Sequence, residues 1–298
     1  MKYDAVAPIF RGFITGDKEL IEKGFSAAIA NETNARLKSR LSSLYSDYKY
    51  RNGQPKVFQL DSAIKPYVMP PSKDFCMEDM ILSDDLVVYT QRILKEWASA
   101  DKLLDNGLEP VHKLLLVGPP GNGKTSYAVS LSKLLGLPLL LTNSSLLFDS
   151  ALGHSEKNVS LMFTKIPDRC MLFFDEFDAL ATMRKNADAS AQRAYNSIVT
   201  TFLVYMEALK SSVFFMAATN VPDFLDKAVV RRFDDTLTFG APTLSAKKKF
   251  FQHYLEKYDL DANAFAFEEY QIENALSFSD LELVLKSRHK ELILEQSD

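Results

Sequence analysis

This chain of 298 residues has few cysteines and no long apolar run. Its two cysteines, Cys76 and Cys170, are too few and too far apart for a disulfide framework or a zinc site. No apolar run approaches the roughly 18 residues of a membrane-spanning helix, and the start MKYDAVAPIF lacks the apolar core of a signal peptide. We therefore expect no membrane-spanning segment and a reducing, cytoplasmic location. Cys170 adjoins an apolar strand and is expected to be a buried thiol.

An excess of positive charge is also missing. The chain has 35 Lys and Arg against 39 Asp and Glu, a net charge of −4 and a pI of about 5.7. A broad, non-specific binder of nucleic acid or anionic membrane is usually basic, so the charge argues against both as the main role. Hydrophobic residues at 47% and charged residues at 25% are typical of a soluble globular protein.

The chain is expected to contain four regions. Apolar residues at helical spacing predict a short helical N-terminal region over residues 1–52. Residues 53–75 contain four prolines and predict a linker, because proline removes a backbone donor and disfavours helix before it. Residues 76–240 alternate between apolar strands and helices, and residues 241–298 return to a helical pattern.

Five short apolar strands are predicted within the third region, over residues 113–117, 137–141, 171–174, 213–218 and 235–239. Strands that alternate with helices indicate a parallel sheet covered on both faces. The expected fold is therefore α/β, a five-stranded parallel sheet with flanking helices and a C-terminal helical region.

The strongest motif lies between the first of these strands and a helix. It follows the pattern G-x-x-x-x-G-K-S/T and consists of Gly118, Pro119, Pro120, Gly121, Asn122, Gly123, Lys124 and Thr125, followed by Ser126. Glycines let backbone N–H groups turn inward around phosphate, and the helix N-terminus adds partial positive charge. Lys124 is predicted to bridge the β- and γ-phosphates of a nucleotide, and Thr125 to ligate Mg²⁺.

Two acids follow the third predicted strand, in the segment MLFFDE. Acids at the carboxyl edge of a parallel sheet face the crevice where ligands bind. Asp175 is predicted to support the Mg²⁺ ion, and Glu176 to polarise the water that attacks the γ-phosphate. Two acids after a strand can also cap the next helix, but the phosphate loop favours the functional interpretation.

With these motifs, the chain resembles the AAA branch of the AAA+ ATPase superfamily. The matching segments, in the order of the family, are GPPGNGKTS, LFFDEFDAL, FFMAATN and LDKAVVRRFDD. The resemblance covers about residues 80–298 and implies a P-loop ATPase with ATP and Mg²⁺ as ligands, and a C-terminal helical lid. It also implies a homo-oligomeric ring, often a hexamer.

The resemblance assigns roles to further residues. Asn220 matches the polar sensor that aligns the attacking water. Arg231 and Arg232 match arginine fingers, which act on the nucleotide of the neighbouring subunit. They are adjacent here, so the sequence leaves open which one contacts phosphate, and either could instead pair with Asp234 or Asp235.

Two further positions match the family more loosely. His253 lies where many relatives place a histidine near the adenine or ribose, although a lone helical histidine is often simply packed or solvated. Ala151 and Leu152 match the loop that grips substrate in the central pore, where relatives have an aromatic residue instead of Ala151. Alanine offers far less contact area to a substrate than an aromatic residue does. The sequence is therefore also consistent with weak threading of substrate through the pore, or with an ordinary loop that makes no substrate contact.

The favoured function is a protein-remodelling ATPase whose N-terminal helices recruit a client. The chain further resembles compact bacterial AAA ATPases that are often paired with a subtilisin-like serine protease, some of them in phage defence. It has neither a G-x-S-x-G nor an H-E-x-x-H motif of its own, so a protease would act in trans. The alternatives are a nucleotide-gated scaffold or sensor and a nucleic-acid ATPase, the latter disfavoured by the acidic pI.

Overall fold

The computed structural model describes residues 18–33, 38, 41, 45, 60–71, 75–148, 154–180, 189–261, 265 and 269–295. The chain divides into two compact units, Met1–Gln59 and Leu60–Asp298. Within the described ranges, no helix has both the length and the apolar character that crossing a bilayer requires.

The N-terminal unit contains helix α1 (Lys18–Asn31). Ile21, Phe25 and Ala28 recur at helical spacing, lie on one side of α1 and are buried. They form a small apolar cluster with Leu41, and the rings of Phe25 and Tyr45 stack with 5.2 Å between their centroids. Helix α1 thus lies within residues 1–52, the region predicted to contain helices.

The second unit is built on a sheet of six strands. These are β1 (Val68–Met69), β2 (Lys113–Val117), β3 (Leu139–Asn143), β4 (Met171–Asp175), β5 (Phe214–Thr219) and β6 (Asp235–Thr238), in the spatial order β1-β3-β4-β5-β2-β6. Strands β2 to β6 are mutually parallel. The predicted parallel α/β sheet is therefore confirmed.

The sheet also has a sixth strand within the segment predicted as a linker. Strand β1 pairs antiparallel with β3, with Val68 opposite Thr142, and follows a short 3₁₀ helix at Lys65–Tyr67. Two residues are too short to produce an alternating pattern, so the sequence offers no strand signal here. Part of the proline-containing segment therefore forms the edge strand on one side of the sheet.

Helices flank the sheet and follow it. Their bounds are α2 (Asp84–Ala98), α3 (Ala100–Asp105), α4 (Lys124–Leu134), α5 (Ser144–Leu147), α6 (His154–Lys165), α7 (Ala189–Glu207), α8 (Lys227–Val230), α9 (Leu244–Lys257), α10 (Glu269–Asn274) and α11 (Phe278–Glu295). Ser83 caps the start of α2, because its Oγ accepts a hydrogen bond from Leu86 N.

Both faces of the sheet are covered, because successive residues of a strand point to opposite sides. Phe173 and Phe214 belong to a core that includes Tyr127 and Leu131 of α4. Their neighbours Phe174 and Phe215 instead join an aromatic cluster with Phe163 of α6 and Phe202 of α7. Cys170 is fully buried as expected, and burial raises the pKa of its thiol to about 12.

The C-terminal helices have an apolar core of their own. Tyr254 and Leu255 of α9 pack with Ile272 of α10 and with Leu281 and Leu285 of α11. We call the helices α9, α10 and α11 the lid.

Gly118 terminates β2 in a conformation that suits glycine alone. Its φ is 143°, and a Cβ built there would lie 2.0 Å from the carbonyl oxygen of Phe239. Val117, just before it, accepts a hydrogen bond from Phe239 N at 2.7 Å. A side chain at residue 118 would therefore clash with the backbone that follows β6.

We predict that Gly118→Ala lowers the free energy of unfolding by about 2–4 kcal/mol, because it adds both backbone strain and a steric clash. Gly240→Ala is the matched control, since a Cβ at Gly240 meets no atom within 4 Å. Its effect should stay within about 0.5 kcal/mol. Urea denaturation of the two variants measures the difference, and equal destabilisation would contradict the steric argument.

Candidate active site

The phosphate loop, the acidic pair and Asn220 lie where three parallel strands end. Strand β5 lies between β4 and β2, so the carboxyl ends of all three meet at one edge of the sheet. The phosphate loop follows β2, Asp175 ends β4 with Glu176 directly after it, and Asn220 follows β5. Residues that are distant in sequence are therefore neighbours here, as the motif order predicts.

The phosphate loop depends on glycine in its turns. Gly121 and Gly123 have φ values of 78° and 90°, in the left-handed region that glycine adopts readily. Pro119 and Pro120 are exposed, whereas Asn122 is buried beneath the loop. The amide group of Asn122 has no hydrogen-bond partner among the described residues.

Lys124, the first residue of α4, is only 7% exposed. Its Nζ donates to the carbonyl oxygens of Gly118 at 2.6 Å and Pro119 at 2.9 Å, and to Asn220 Oδ1 at 2.8 Å. Burial lowers the pKa of Lys124, while the nearby carboxylates of Asp175 and Asp178 act in the opposite direction. A phosphate at this position would favour the charged ammonium further.

Thr125 and Asp175 lie together at the adjoining end of β4. Thr125 Oγ1 donates a hydrogen bond of 2.7 Å to Asp175 Oδ2. Hydroxyl and carboxylate oxygens are the hard ligands that Mg²⁺ prefers, so this pair fits a magnesium ion bound beside nucleotide phosphates. The predicted metal ligands are thus brought into direct contact.

Glu176 has an unusual backbone conformation. Its φ is 52°, which is uncommon for a residue with a side chain, and its N–H donates to Asp175 Oδ1 at 3.0 Å. The residue is exposed, whereas the first four residues of β4 are buried and Asp175 is half-buried. The turn thus places a carboxylate in solvent next to the metal-binding pair.

Asp178 belongs to the same group, although the sequence reasoning did not single it out. Its Oδ1 accepts hydrogen bonds from Thr219 Oγ1 and from Asn220 N at 3.0 Å, and its Oδ2 accepts from Asn220 Nδ2 at 3.1 Å. Asp178 therefore fixes the amide orientation that turns Asn220 Oδ1 toward Lys124. Its place in DEFD, three residues after Asp175, was the available signal.

A cavity of about 380 Å³ opens beside the phosphate loop. Its walls come from the segment before α2, from Gly121 to Gly123 with Ser126, and from the lid with the stretch after β6. Much of the lining is apolar, including Met80, Ile81, Leu86, Phe239, Phe250 and Phe278. The volume lies within the roughly 300–1,000 Å³ range of small-molecule sites, and an apolar slot suits a planar base.

The lid contacts the phosphate loop directly. Ser279 N donates to the carbonyl oxygen of Gly121 at 3.1 Å. A Cβ on Gly121 would lie 2.7 Å from Ser277 Oγ, so glycine is needed for this approach. Ser277 also caps α11, accepting a hydrogen bond from Asp280 N at 3.1 Å.

His253 lies near this cavity but does not line it. Its Nε2 is 3.2 Å from Oδ1 of Asp79, and Asp79 is itself a lining residue. His253 therefore reaches the cavity wall through Asp79, and its place beside a bound base or ribose stays a prediction.

The two arginines differ in their surroundings. An Nη2 atom of Arg232 forms an ion pair with Glu207, the last residue of α7, whereas Arg231 is exposed. Asp234 instead accepts hydrogen bonds from the backbone of His112 and Lys113, at 2.9 and 2.8 Å. Ala151 and Leu152, predicted for the pore loop, lie outside the described residues.

Comparison with known proteins agrees with this geometry. Residues 114–241 match the family model "ATPase family associated with various cellular activities (AAA)". An AAA family ATPase of Sinorhizobium fredii, y4kL, is 34% identical over 225 residues, which is 73% of this chain and 65% of that protein. The peroxisomal ATPase PEX6 of Pichia angusta is 34% identical over 170 residues, 54% of this chain and 15% of PEX6.

The nuclear valosin-containing protein-like of Mus musculus is also 34% identical, over 168 residues, or 54% of this chain and 19% of that protein. The chain thus spans less than two thirds of the length of each of these relatives. The family match includes the phosphate loop, the acidic pair, Asn220 and both arginines. The chain therefore belongs to the AAA+ ATPase superfamily and carries its ATPase domain.

Proposed function

We propose that this chain hydrolyses ATP with Mg²⁺ at the subunit interfaces of a homo-oligomeric ring in the cytoplasm, and that it remodels a protein client. The observation that carries the proposal is the single hydrogen-bonded group formed by Lys124, Asn220 and Asp178, next to the pair of Thr125 and Asp175. Three separate segments of sequence supply these residues. Their arrangement suits the binding and hydrolysis of a phosphoanhydride.

The residues of the loop hold the substrate. Backbone N–H groups of Gly121 to Thr125 and the N-terminus of α4 attract the phosphates, and Lys124 exchanges its internal acceptors for phosphate oxygens. The base enters the apolar cavity between the loop and the lid. When bound, Mg²⁺ neutralises phosphate charge, with Thr125 and Asp175 as its protein ligands.

Glu176 and Asn220 act on the attacking water. Glu176 accepts its proton as a general base, and the Asn220 side chain, oriented by Asp178, positions it. The low exposure of Lys124 limits competition from solvent at the phosphates. The proposed products are ADP and inorganic phosphate.

Of the two arginines, we assign the trans-acting role to Arg231. Arg232 is already paired with Glu207 of the same chain, so moving it to a neighbour would leave that carboxylate without its partner. Arg231 is exposed and has a planar guanidinium that suits a phosphate whose charge changes during transfer. A ring of subunits, often a hexamer in the family, places such an arginine against the next nucleotide.

We predict that Glu176→Gln retains ATP binding but lowers the turnover rate at least about 100-fold, because the amide cannot accept the proton of the water. Binding of radiolabelled ATP and release of phosphate measure the two properties separately. Glu78→Gln serves as the matched control, since Glu78 is exposed and does not line the cavity. Turnover at the wild-type rate in Glu176→Gln would remove Glu176 from the mechanism.

The specific ATPase activity is predicted to rise with protein concentration, because each site needs a neighbouring subunit. It is predicted to fall about 100-fold or more in Arg231→Ala and less than about tenfold in Arg232→Ala. Mixing Arg231→Ala with Lys124→Ala should restore activity, since each supplies what the other lacks. The control mixture pairs Arg231→Ala with the double variant Arg231→Ala, Lys124→Ala, and should stay inactive. Equal activity of both mixtures would exclude a shared site.

As the client we propose a subtilisin-like serine protease supplied in trans, in phage defence, with the N-terminal helices as the recruiting surface. The support is the sequence resemblance together with the lack of a peptidase motif in this chain. The expected outcome is that co-expressed protease copurifies with the chain and that its activity depends on an intact Lys124. A protease whose activity is the same with Lys124→Ala would contradict this pairing.

A further inference from the structure

Asp79 lies where two walls of the cavity meet. It ends a single 3₁₀ turn, Met77–Asp79, in the segment that precedes α2. Like Met80 and Ile81 after it, Asp79 lines the cavity. The opposite wall is formed by the lid through Phe250 and Phe278.

The carboxylate of Asp79 bridges these two walls. Its Oδ1 is 3.2 Å from Nε2 of His253 and 3.0 Å from Nζ of Lys257. His253 and Lys257 are four residues apart, so they share one face of α9. Hydrogen bonding from Lys257 is the largest of the effects that lower the pKa of Asp79, and His253 acts in the same direction.

Neither His253 nor Lys257 lines the cavity itself. Any influence of His253 or Lys257 on a bound nucleotide must therefore pass through Asp79 or through the position of α9. A hydrogen bond from Ser279 N to Gly121 O joins the lid to the phosphate loop through α11. The contacts of Asp79 therefore hold α9, and the hydrogen bond to Gly121 holds α11.

We propose that Asp79 is a positioning residue that ties the lid to the segment before α2, and thereby sets how long the cavity retains a nucleotide. The proposal rests on the proposed nucleotide binding at this site. His253 contributes by pairing with Asp79 and not by touching the ligand. Lys257 contributes in the same way, although the sequence analysis assigned it no role.

The partners of Asp79 are partly exposed, with His253 at 30% and Lys257 at 46%. Pairs of this kind are individually weak, but one carboxylate holds both. We expect Asp79→Asn to raise the dissociation rate of a nucleotide about three- to tenfold. The association rate should change little, because the phosphate loop remains intact.

The test is stopped-flow dissociation of a fluorescent ADP analogue from the full chain, chased with unlabelled ADP. The variants are Asp79→Asn, Lys257→Gln, His253→Gln and the double variant Asp79→Asn, Lys257→Gln. Glu78→Gln is the matched control, because Glu78 lies in the same 3₁₀ turn, is exposed and does not line the cavity. A loss of folded protein would lower the amplitude of the signal without changing its rate.

The expected result is faster dissociation in each single variant of the bridge, a wild-type rate in Glu78→Gln, and a double variant no faster than Asp79→Asn alone. Dissociation of Asp79→Asn at the wild-type rate would overturn the proposal while leaving nucleotide binding intact. Effects of Asp79→Asn and Lys257→Gln that multiply in the double variant would also overturn it. Failure of the wild type to bind the analogue would instead contradict the proposed function itself.

Discussion

The hydrogen bond between Lys124 Nζ and Asn220 Oδ1 connects the ends of two strands at the point where phosphate is expected to bind. It requires β2 and β5 to be neighbours in register, and Asp178, three residues after the end of β4, to orient the amide. The apolar strands make this possible, since a parallel sheet buried on both faces cannot slip without exposing phenylalanines. The apolar core of the sheet therefore fixes the positions of the polar residues at its edge.

Packing on the two faces of the sheet has different consequences. One face anchors α4, whose N-terminus carries Lys124 and Thr125, through Tyr127 and Leu131. The other face carries α6 and α7 on an aromatic cluster, and α7 ends at Glu207, the partner of Arg232. Lys124 and Thr125 are thus attached to one face of the sheet, and the partner of Arg232 is attached to the other.

Much of this architecture could be predicted from the sequence, because its signals are local. The limits of β2 were predicted residue for residue, while β3 begins two residues later than expected, since Leu137 and Leu139 look alike in an apolar run. The phosphate loop and the acidic pair were found because their spacing is a property of the chain itself. Strand β1 was not predicted, because a strand of two residues is too short to show an alternating pattern.

The contacts that the sequence could not supply are those between distant charged groups. Asp79 pairs with residues more than 170 positions away, and Arg232 pairs with Glu207 although Asp234 and Asp235 are its neighbours in sequence. The sequence offers each charged residue dozens of possible partners of opposite charge, and the fold determines which of them lies close enough to pair with it. The same applies to Asp178, whose role depends on the position of Asn220 across the sheet.

The left-handed backbone of Glu176 limits which residues can replace it without strain. Asparagine, aspartate and glycine adopt this conformation readily, whereas valine, isoleucine and threonine do so at a steric penalty. A naturally inactive copy of such a chain, retained only to bind nucleotide, would therefore be expected to lack valine, isoleucine and threonine at this position. The backbone of a single turn thus restricts how an enzyme of this design can evolve into a pseudoenzyme.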